Sequence, residues 1–249
     1  MTAERWTRAV REQLGLGRLL PLGGPRDGVW IAEAAAETAL RRAVRMVGGV
    51  RLGALRIALA DPSGAYEPAV PPPPSGLPPG PLRVTADCAA TASEPLPAAA
   101  SRLREALAAA AQGVGLAVTE VDLRVTALLE GEPEGADEAG GGLGERERGP
   151  EPPSATAPDR PAREGDELRV GVAALAVPGV TGLTSALGRS VRIEERQLTD
   201  LALPRRHVRV ELAVSADHRA LDVARRVREA VTTALPDHPT VTVLVTALR

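Results

Sequence analysis

The sequence predicts an α/β protein of the α+β two-layer kind, and three observations carry that prediction. A helix–turn–strand phrase occurs twice, as RLREALAAAAQGVGLAVTEVDLRVTAL from Arg102 and as RVREAVTTALPDHPTVTVLVTAL from Arg226. Apolar residues alternate with polar ones just before each of those helices, the period of a half-buried strand. An acidic, Gly- and Pro-rich stretch separates the two copies. The expected architecture is two tandem helix-strand-strand-helix-strand units, each a small mixed sheet with helices on one face.

The elements follow in order. Residues 1–26 read as an N-terminal amphipathic helix and turn. Trp6, Val10 and Leu14 make an apolar stripe, and Arg5, Arg8 and Arg11 lie towards the other side. Residues 27–129 are the first unit, with a proline-rich insert at 68–81. Its first helix runs towards Gly49, and a strand is expected around 54–59. Leu82, Val84, Ala86 and Cys88 alternate with polar neighbours as the next strand. Ala99, Leu103, Leu107 and Ala110 form a helical stripe, with Pro97 suited to its first turn and Gly113 to its end. Val121, Leu123, Val125 and Ala127 make the closing strand. Residues 130–167 hold 12 acidic residues against 4 Arg, a composition expected of a disordered linker. Residues 168–249 repeat the order. A helix ends at Gly179 and a strand is expected near 190–194, followed by a loop at 198–207. Val208, Val210, Leu212 and Val214 form the next strand. Leu221, Ala224, Val227, Val231 and Leu235 form the helix, supported by Asp222–Arg226 and Arg225–Glu229 spacing. Val241, Val243, Val245 and Ala247 close the unit. A strand–helix–strand connection of this length suits a right-handed parallel crossover. The two preceding strands suit a hairpin, whose loop in the first unit is the proline insert.

Composition narrows the function. The 249 residues contain no Phe, no Lys and no Asn, and every basic residue is Arg. That bias is of the GC-rich, actinobacterial type and accounts for the arginines without invoking nucleic acid. A core without Phe must be built from Ala, Val and Leu. The single cysteine, Cys88, rules out an intramolecular disulfide and any Cys-cluster metal site. No apolar run approaches the ~20 residues that cross a bilayer, and no apolar signal core opens the chain. A cytoplasmic protein is expected.

The segment DGVWIAEAAAETALRRAVRMVGGV at 27–50 and the pattern HVRVELAVSADHRALDVARRVREAV resemble the alkaline-shock-protein family of bacterial envelope stress proteins. Gly28, Ile31, Gly49 and Val50 fit the family's opening strand, helix and "GV" turn. Val208, Val210, Leu212, Val214, Val223, Ala224, Val227, Arg228, Ala230 and Val231 fit its later strand–helix pattern. The match covers most of 27–128 and 170–248, in two diverged tandem copies. The second copy keeps VPGVTGL but has no Gly-x-Ile start. The family has no established catalytic residues. The resemblance implies a cytoplasmic protein of envelope homeostasis, working with protein partners that include membrane-anchored ones. The two copies, the acidic linker and the proline insert depart from the family pattern and bear on role more than on fold.

Asp217-His218 and Asp237-His238 are the conspicuous acid–base pairs, but a helix between them would hold them roughly 25 Å apart at ~1.5 Å per residue. The simpler reading is a helix cap at Asp217 and a turn at Asp237-His238-Pro239. Ser215, Asp217 and His218 have triad residue types without triad spacing. Cys88 points with Val84 and Ala86 into the core. Gly140, Gly141, Gly142 and Gly144 lack the Lys-Ser/Thr of a phosphate loop. No catalytic, cofactor-binding or metal-ligating residue is therefore assigned, and no cofactor is expected. Trp6, Val10, Leu14, Arg5, Arg8 and Arg11 are the candidates for contact with a partner or an anionic membrane.

The sequence thus points to a non-catalytic structural or regulatory protein of the envelope stress response type, acting through protein–protein contacts. Homo-oligomerisation is compatible with it, as is a place at the inner face of the cell membrane. Three alternatives compete. PPPPSGLPPGP could serve an interaction scaffold as a polyproline ligand. The pairs Arg205-Arg206 and Arg225-Arg226 could bind nucleic acid, although no aromatic platform accompanies them. An enzyme would have to use His218 or His238.

Overall fold

The computed structural model describes residues 15–129, 160–196 and 205–249. It shows an α+β chain with two mixed, open sheets. Its elements are β1 (Leu19–Pro21), β2 (Val29–Ala32), α1 (Glu33–Val44), β3 (Val50–Leu59), β4 (Leu82–Thr91), α2 (Leu96–Val114), β5 (Val118–Leu129), α3 (Arg160–Leu175), β6 (Val180–Leu183), β7 (Val191–Arg196), β8 (Arg205–Val214), α4 (Ala220–Ala234) and β9 (Thr240–Leu248).

The first sheet has the order β3-β4-β5, with β3 antiparallel and β5 parallel to β4. The antiparallel hairpin and the parallel pairing of β4 with β5 across α2 are as the sequence predicts. The second sheet repeats this as β6 and β7 antiparallel to β8 and β9 parallel to it. Here the opening strand is broken in two, and only β7 was expected. The repeat extends to register. Cys88 lies opposite Val125 before the ladder skips Thr126, and Leu212 lies opposite Val245 before it skips Thr246. Each skipped threonine donates its hydroxyl to the strand beside it, Thr126 to the Cys88 carbonyl and Thr246 to that of Leu212, both at 3.3 Å. Gly49 and Gly179 both have positive φ, and their carbonyls accept from Thr91 and Ser215 at 2.9 and 2.8 Å.

The helices bury the expected stripes. Leu221, Ala224, Val227, Val231 and Leu235 are all buried, as are Ala99, Leu103 and Leu107; Ala111 rather than Ala110 continues the second stripe. Pro97 sits in the first turn of α2, but Gly113 lies inside the last turn and the left-handed end comes at Gly115, with φ +104°. A Cβ there would stand 2.4 Å from that of Leu221, so this glycine also lets α4 approach. In α4, Arg225 does not meet Glu229; it reaches Asp27 at 2.8 Å and Asp222 at 3.7 Å.

Two segments depart from expectation because tertiary pairing overrides local reading. Leu19–Pro21, expected within a helix and turn, is a strand antiparallel to β2. The Gly28–Ile31 strand implied by the family resemblance exists, but it joins the other half of the chain. Val29, Trp30 and Ile31 run parallel to Val243, Leu244 and Val245 of β9. β2 is almost fully buried, with Trp30 at 1% and Ile31 at 0% exposure. Each such side chain contributes about 1.5–3 kcal/mol. Further ties cross between the halves. Asp27 accepts two hydrogen bonds from Arg225 at 2.8 and 3.0 Å. Arg228 donates to the Arg26 carbonyl, while Trp30 Nε1 donates within the first unit to the Leu77 carbonyl. One hydrophobic core runs through both units, and α1 packs on α2 and β3 as well as on β9. The expected linker ends early: residues 160–167 are the start of α3, whereas 130–159 lie outside the described residues.

Trp30→Ala is expected to cost about 3–5 kcal/mol, the range for a large buried aromatic, read as a lowered denaturant midpoint. A protease site placed at 140–144 should, once cut, leave both fragments co-eluting on gel filtration, because β2 and β9 remain paired. Fragments that separate without denaturant would contradict that pairing.

Candidate functional site

The outer face of the second sheet, turned away from its helices, carries the most concentrated polar chemistry among the described residues. On β8, Val208, Val210, Leu212 and Val214 go to the helices, so alternation sends His207, Arg209 and Glu211 to the other side. Register sets Arg192 beside Arg209 and Thr242, and Glu194 beside His207 and Thr240. A cleft of about 240 Å³ opens there, lined by Pro71–Pro74, Arg192, Glu194, His207, Arg209 and Thr242. Its roof is the proline insert, which belongs to the first unit's hairpin. Thr242 donates to the Pro71 carbonyl at 2.9 Å, and the Leu77 N–H donates to Leu19 at 2.8 Å. Pro73 is buried, whereas Pro72 and Pro74 are exposed. The proline tract is therefore anchored along one side.

The proline roof covers His207 and Arg209, and the turn between β6 and β7 closes over Glu211. His207 is 5% and Glu211 0% exposed. Their counterparts in the first unit by register, Arg83 and Asp87, are only half-buried. His207 Nδ1 lies 2.9 Å from the Thr240 hydroxyl. One Glu211 oxygen accepts the Leu187 N–H at 2.9 Å. The other stands 3.1 Å from the Arg209 guanidinium without hydrogen-bond alignment, which leaves Arg209 Nε and Nη2 and Glu211 Oε1 unsatisfied among the described groups. Burial pushes the Glu211 carboxyl above its ordinary value, only partly countered by the Leu187 N–H and Arg209. Arg192 pairs with Glu194, so each cation has a carboxylate and the cleft carries no excess positive charge. Its volume also lies below the roughly 300 Å³ at which small-molecule pockets begin.

The residues singled out by sequence are dispersed. His218 lies with Asp217, Arg219, Arg42 and Met46 along an open groove of about 440 Å³ between α1, α2 and the start of α4. Asp217 does not cap α4. The helix begins at Ala220 with Arg219 before it and no side-chain cap, while the Asp217 N–H donates to the Ser215 hydroxyl at 3.3 Å. The His218 ring packs on the Gly179 turn, where an added Cβ would stand 3.0 Å from it. His238, at the other end of α4, has φ +45° and its Nδ1 3.1 Å from the Thr232 carbonyl. Asp237 pairs with Arg206 instead. Cys88 is 3% exposed, and burial raises its thiol above the ordinary value, with Asp87 adding to the effect. Arg206 meets Asp166 at 2.6 Å and Arg225 meets Asp27, so two of the four arginines proposed for nucleic acid are committed to ion pairs. Among the described residues no group of three or more His, Cys, Asp or Glu could hold a metal ion. No helix there is long and apolar enough to cross a membrane. Trp6, Val10, Leu14, Arg5, Arg8 and Arg11, with Gly140, Gly141, Gly142 and Gly144, lie outside the described residues.

One surface was missed by sequence reasoning. On α3, Leu168, Val172 and Leu175 are 70%, 61% and 50% exposed. They border an open groove of about 580 Å³ completed by Leu183 and Val191 and rimmed by Glu164, Glu167 and Arg189. Aligning Gly49 with Gly179 superposes the buried Leu40 on Val170 and Val44 on Ala174. The first unit then carries exposed Thr38, Arg42 and Arg45 where the second has Leu168, Val172 and Leu175. The spacing was legible, but only the internal comparison separates this stripe from a core stripe. No protein-family model matches the chain, and a search of curated proteins returns no relative.

Glu211→Gln tests the electrostatics of the roofed face. A carboxyl whose pKa is raised by folding contributes stability that is present below its unfolded pKa and is lost as pH rises through the folded value. The stability difference between wild type and the variant should therefore move against the wild type as pH rises from about 4 to 7, starting from the unfolded Glu value near 4.3. Parallel curves from urea titrations across that range would show that Glu211 is not perturbed.

Proposed function

We propose that this chain is a non-catalytic structural or regulatory protein of the envelope stress response type, acting through protein contacts at the α3 groove. The observation that carries this reading is the substitution of Leu168, Val172 and Leu175 for the Thr38, Arg42 and Arg45 of the first unit. The fold does not require apolar residues there, since the first unit is built with polar ones. An exposed apolar stripe bounded by charge is the usual form of a docking surface. The partner fitting it is an amphipathic segment that brings apolar side chains to the groove. A cytoplasmic chain held by such a partner at the inner face of the membrane follows from the family resemblance. The alternatives draw less support. The polyproline ridge is hooked to the second sheet, two of the arginines proposed for nucleic acid are paired, and His218 and His238 flank opposite ends of α4.

The test is a photocrosslinking residue at position 172 in the native host, with and without envelope stress. Discrete protein adducts are expected, and they should disappear when Leu168 and Leu175 become Thr and Arg. That double change should alter stability by no more than about 0.5 kcal/mol, as for other exposed positions. Absence of adducts in both conditions, or adducts indifferent to the substitutions, would reject this surface.

A further inference from the structure

The internal repeat exposes a difference at the outer edges of the two closing strands. β5 and β9 match in register down to the skipped threonine. Yet β9 is covered on its far edge by β2, through Val29–Val243, Trp30–Leu244 and Ile31–Val245. The matching edge of β5 has no strand beside it among the described residues. The consequence for burial is direct. Val241, Val243 and Val245 are at most 1% exposed, whereas Val125 is 39% and Leu128 60% exposed, and Val121 and Leu123 are only partly buried. β5 is twelve residues long and contains neither Pro nor Gly. Such a strand presents open N–H and C=O groups that natural proteins normally blunt or cover.

We propose that the occupant is a second copy of the chain, with β5 pairing antiparallel to β5 across a two-fold axis at Leu123. The sequence of the strand selects this register. With both α2 helices on one side of the joined sheet, the axis must pass through a residue, because facing side chains then share a face. Centring on Leu123 places Asp122 opposite Arg124 of the second copy, twice by symmetry, and Val121 opposite its Val125. Centring on Asp122 or on Arg124 would instead set like charges directly against each other, which is unfavourable. Arg124 is exposed and has no ion-pair partner among the described residues, whereas Asp122 meets only Arg83, at 3.5 Å. The product is a continuous sheet of order β3-β4-β5-β5-β4-β3. It supplies β5 with the neighbour that β9 obtains from β2. This inference does not depend on the α3 groove, which lies on the other unit.

Charge reversal tests both the surface and the register. Sedimentation of the full chain at about 100 µM should give a dimer, in the micromolar range common for edge pairing of modest area. Arg124→Asp and Asp122→Arg should each weaken self-association about tenfold or more, since two cross-strand attractions become repulsions. The double variant Asp122→Arg/Arg124→Asp should recover it. A mixture of the two single variants should form the mixed dimer in preference to either homodimer, a readout that a mere folding defect would not produce. Circular dichroism on each variant controls for folding. A wild-type chain that stays monomeric would overturn the proposal, and that result would assign the edge to residues 130–159 or to solvent. A dimer indifferent to both reversals would overturn it equally.

Discussion

The pairing of β2 with β9 is the constraint on which the rest of the molecule depends. A four-residue strand without charged side chains, Val29–Ala32, has both faces covered. Sequence order places it in the first unit, while hydrogen bonding places it in the second unit's sheet. Once it is there, Asp27 is beside Arg225 and α1, which follows directly, packs on both α2 and β9. The Asp27 carboxyl shows how settled the junction is. Burial alone would raise it, yet the Arg225 guanidinium and the Gly24 N–H hold it below the ordinary carboxylate range. An acid held in this way contributes stability above its unfolded pKa and loses it as pH falls, the opposite slope to that of Glu211. Arg18 and Glu33 fasten the other end of β2 in the same manner, with two hydrogen bonds at 3.2 and 2.8 Å.

The proline insert converts the duplication into a division of labour. In an isolated unit the outer sheet face meets water, as Arg83, Thr85 and Asp87 do. In the second unit the proline insert roofs His207 and Arg209 from outside, and the turn between β6 and β7 closes over Glu211, so these groups need partners. Those partners are mostly local: a threonine hydroxyl, a backbone N–H and a neighbouring guanidinium. A buried pair of this kind is weak evidence for stability, because desolvation offsets its attraction. The first unit's loop is itself held on this sheet by the Thr242 hydroxyl, which donates to the Pro71 carbonyl.

Much of this architecture was legible in the residues. The alternation at His207–Val214 and the stripe at Leu221–Leu235 fix element type, because each apolar position has one face to go to. The repeat of VTAL located the matching strands. What was not legible lies between segments distant in sequence. Leu19–Pro21 is too short for a period, and nothing in VWIA says which edge it will join. The burial of His207 and Arg209 was not legible in their strand, because their roof is encoded more than a hundred residues earlier. Asp217 looked like a helix cap, but its carboxylate is not what opens α4; the chain turns first through Ser215 and the helix starts later. The apolar stripe of α3 was hidden by the acidic composition around it, which drew residues 160–167 into the linker.

The separation of β2 from β9 also has a temporal side. Val29 and Val243 are neighbours in space, yet they are more than two hundred residues apart along the chain. During synthesis at roughly 5–20 residues per second, β2 emerges many seconds before the strand that will hold it. Through that interval Trp30 and Ile31 can pair with β1 on one edge but lack the β9 neighbour on the other, and the first unit can complete its own three strands without them. Assembly of the second sheet must then close a loop across the whole intervening chain, a slow, non-local step. The nascent protein therefore carries an apolar strand with one open edge until β9 arrives, and an open edge of this kind invites wrong pairing.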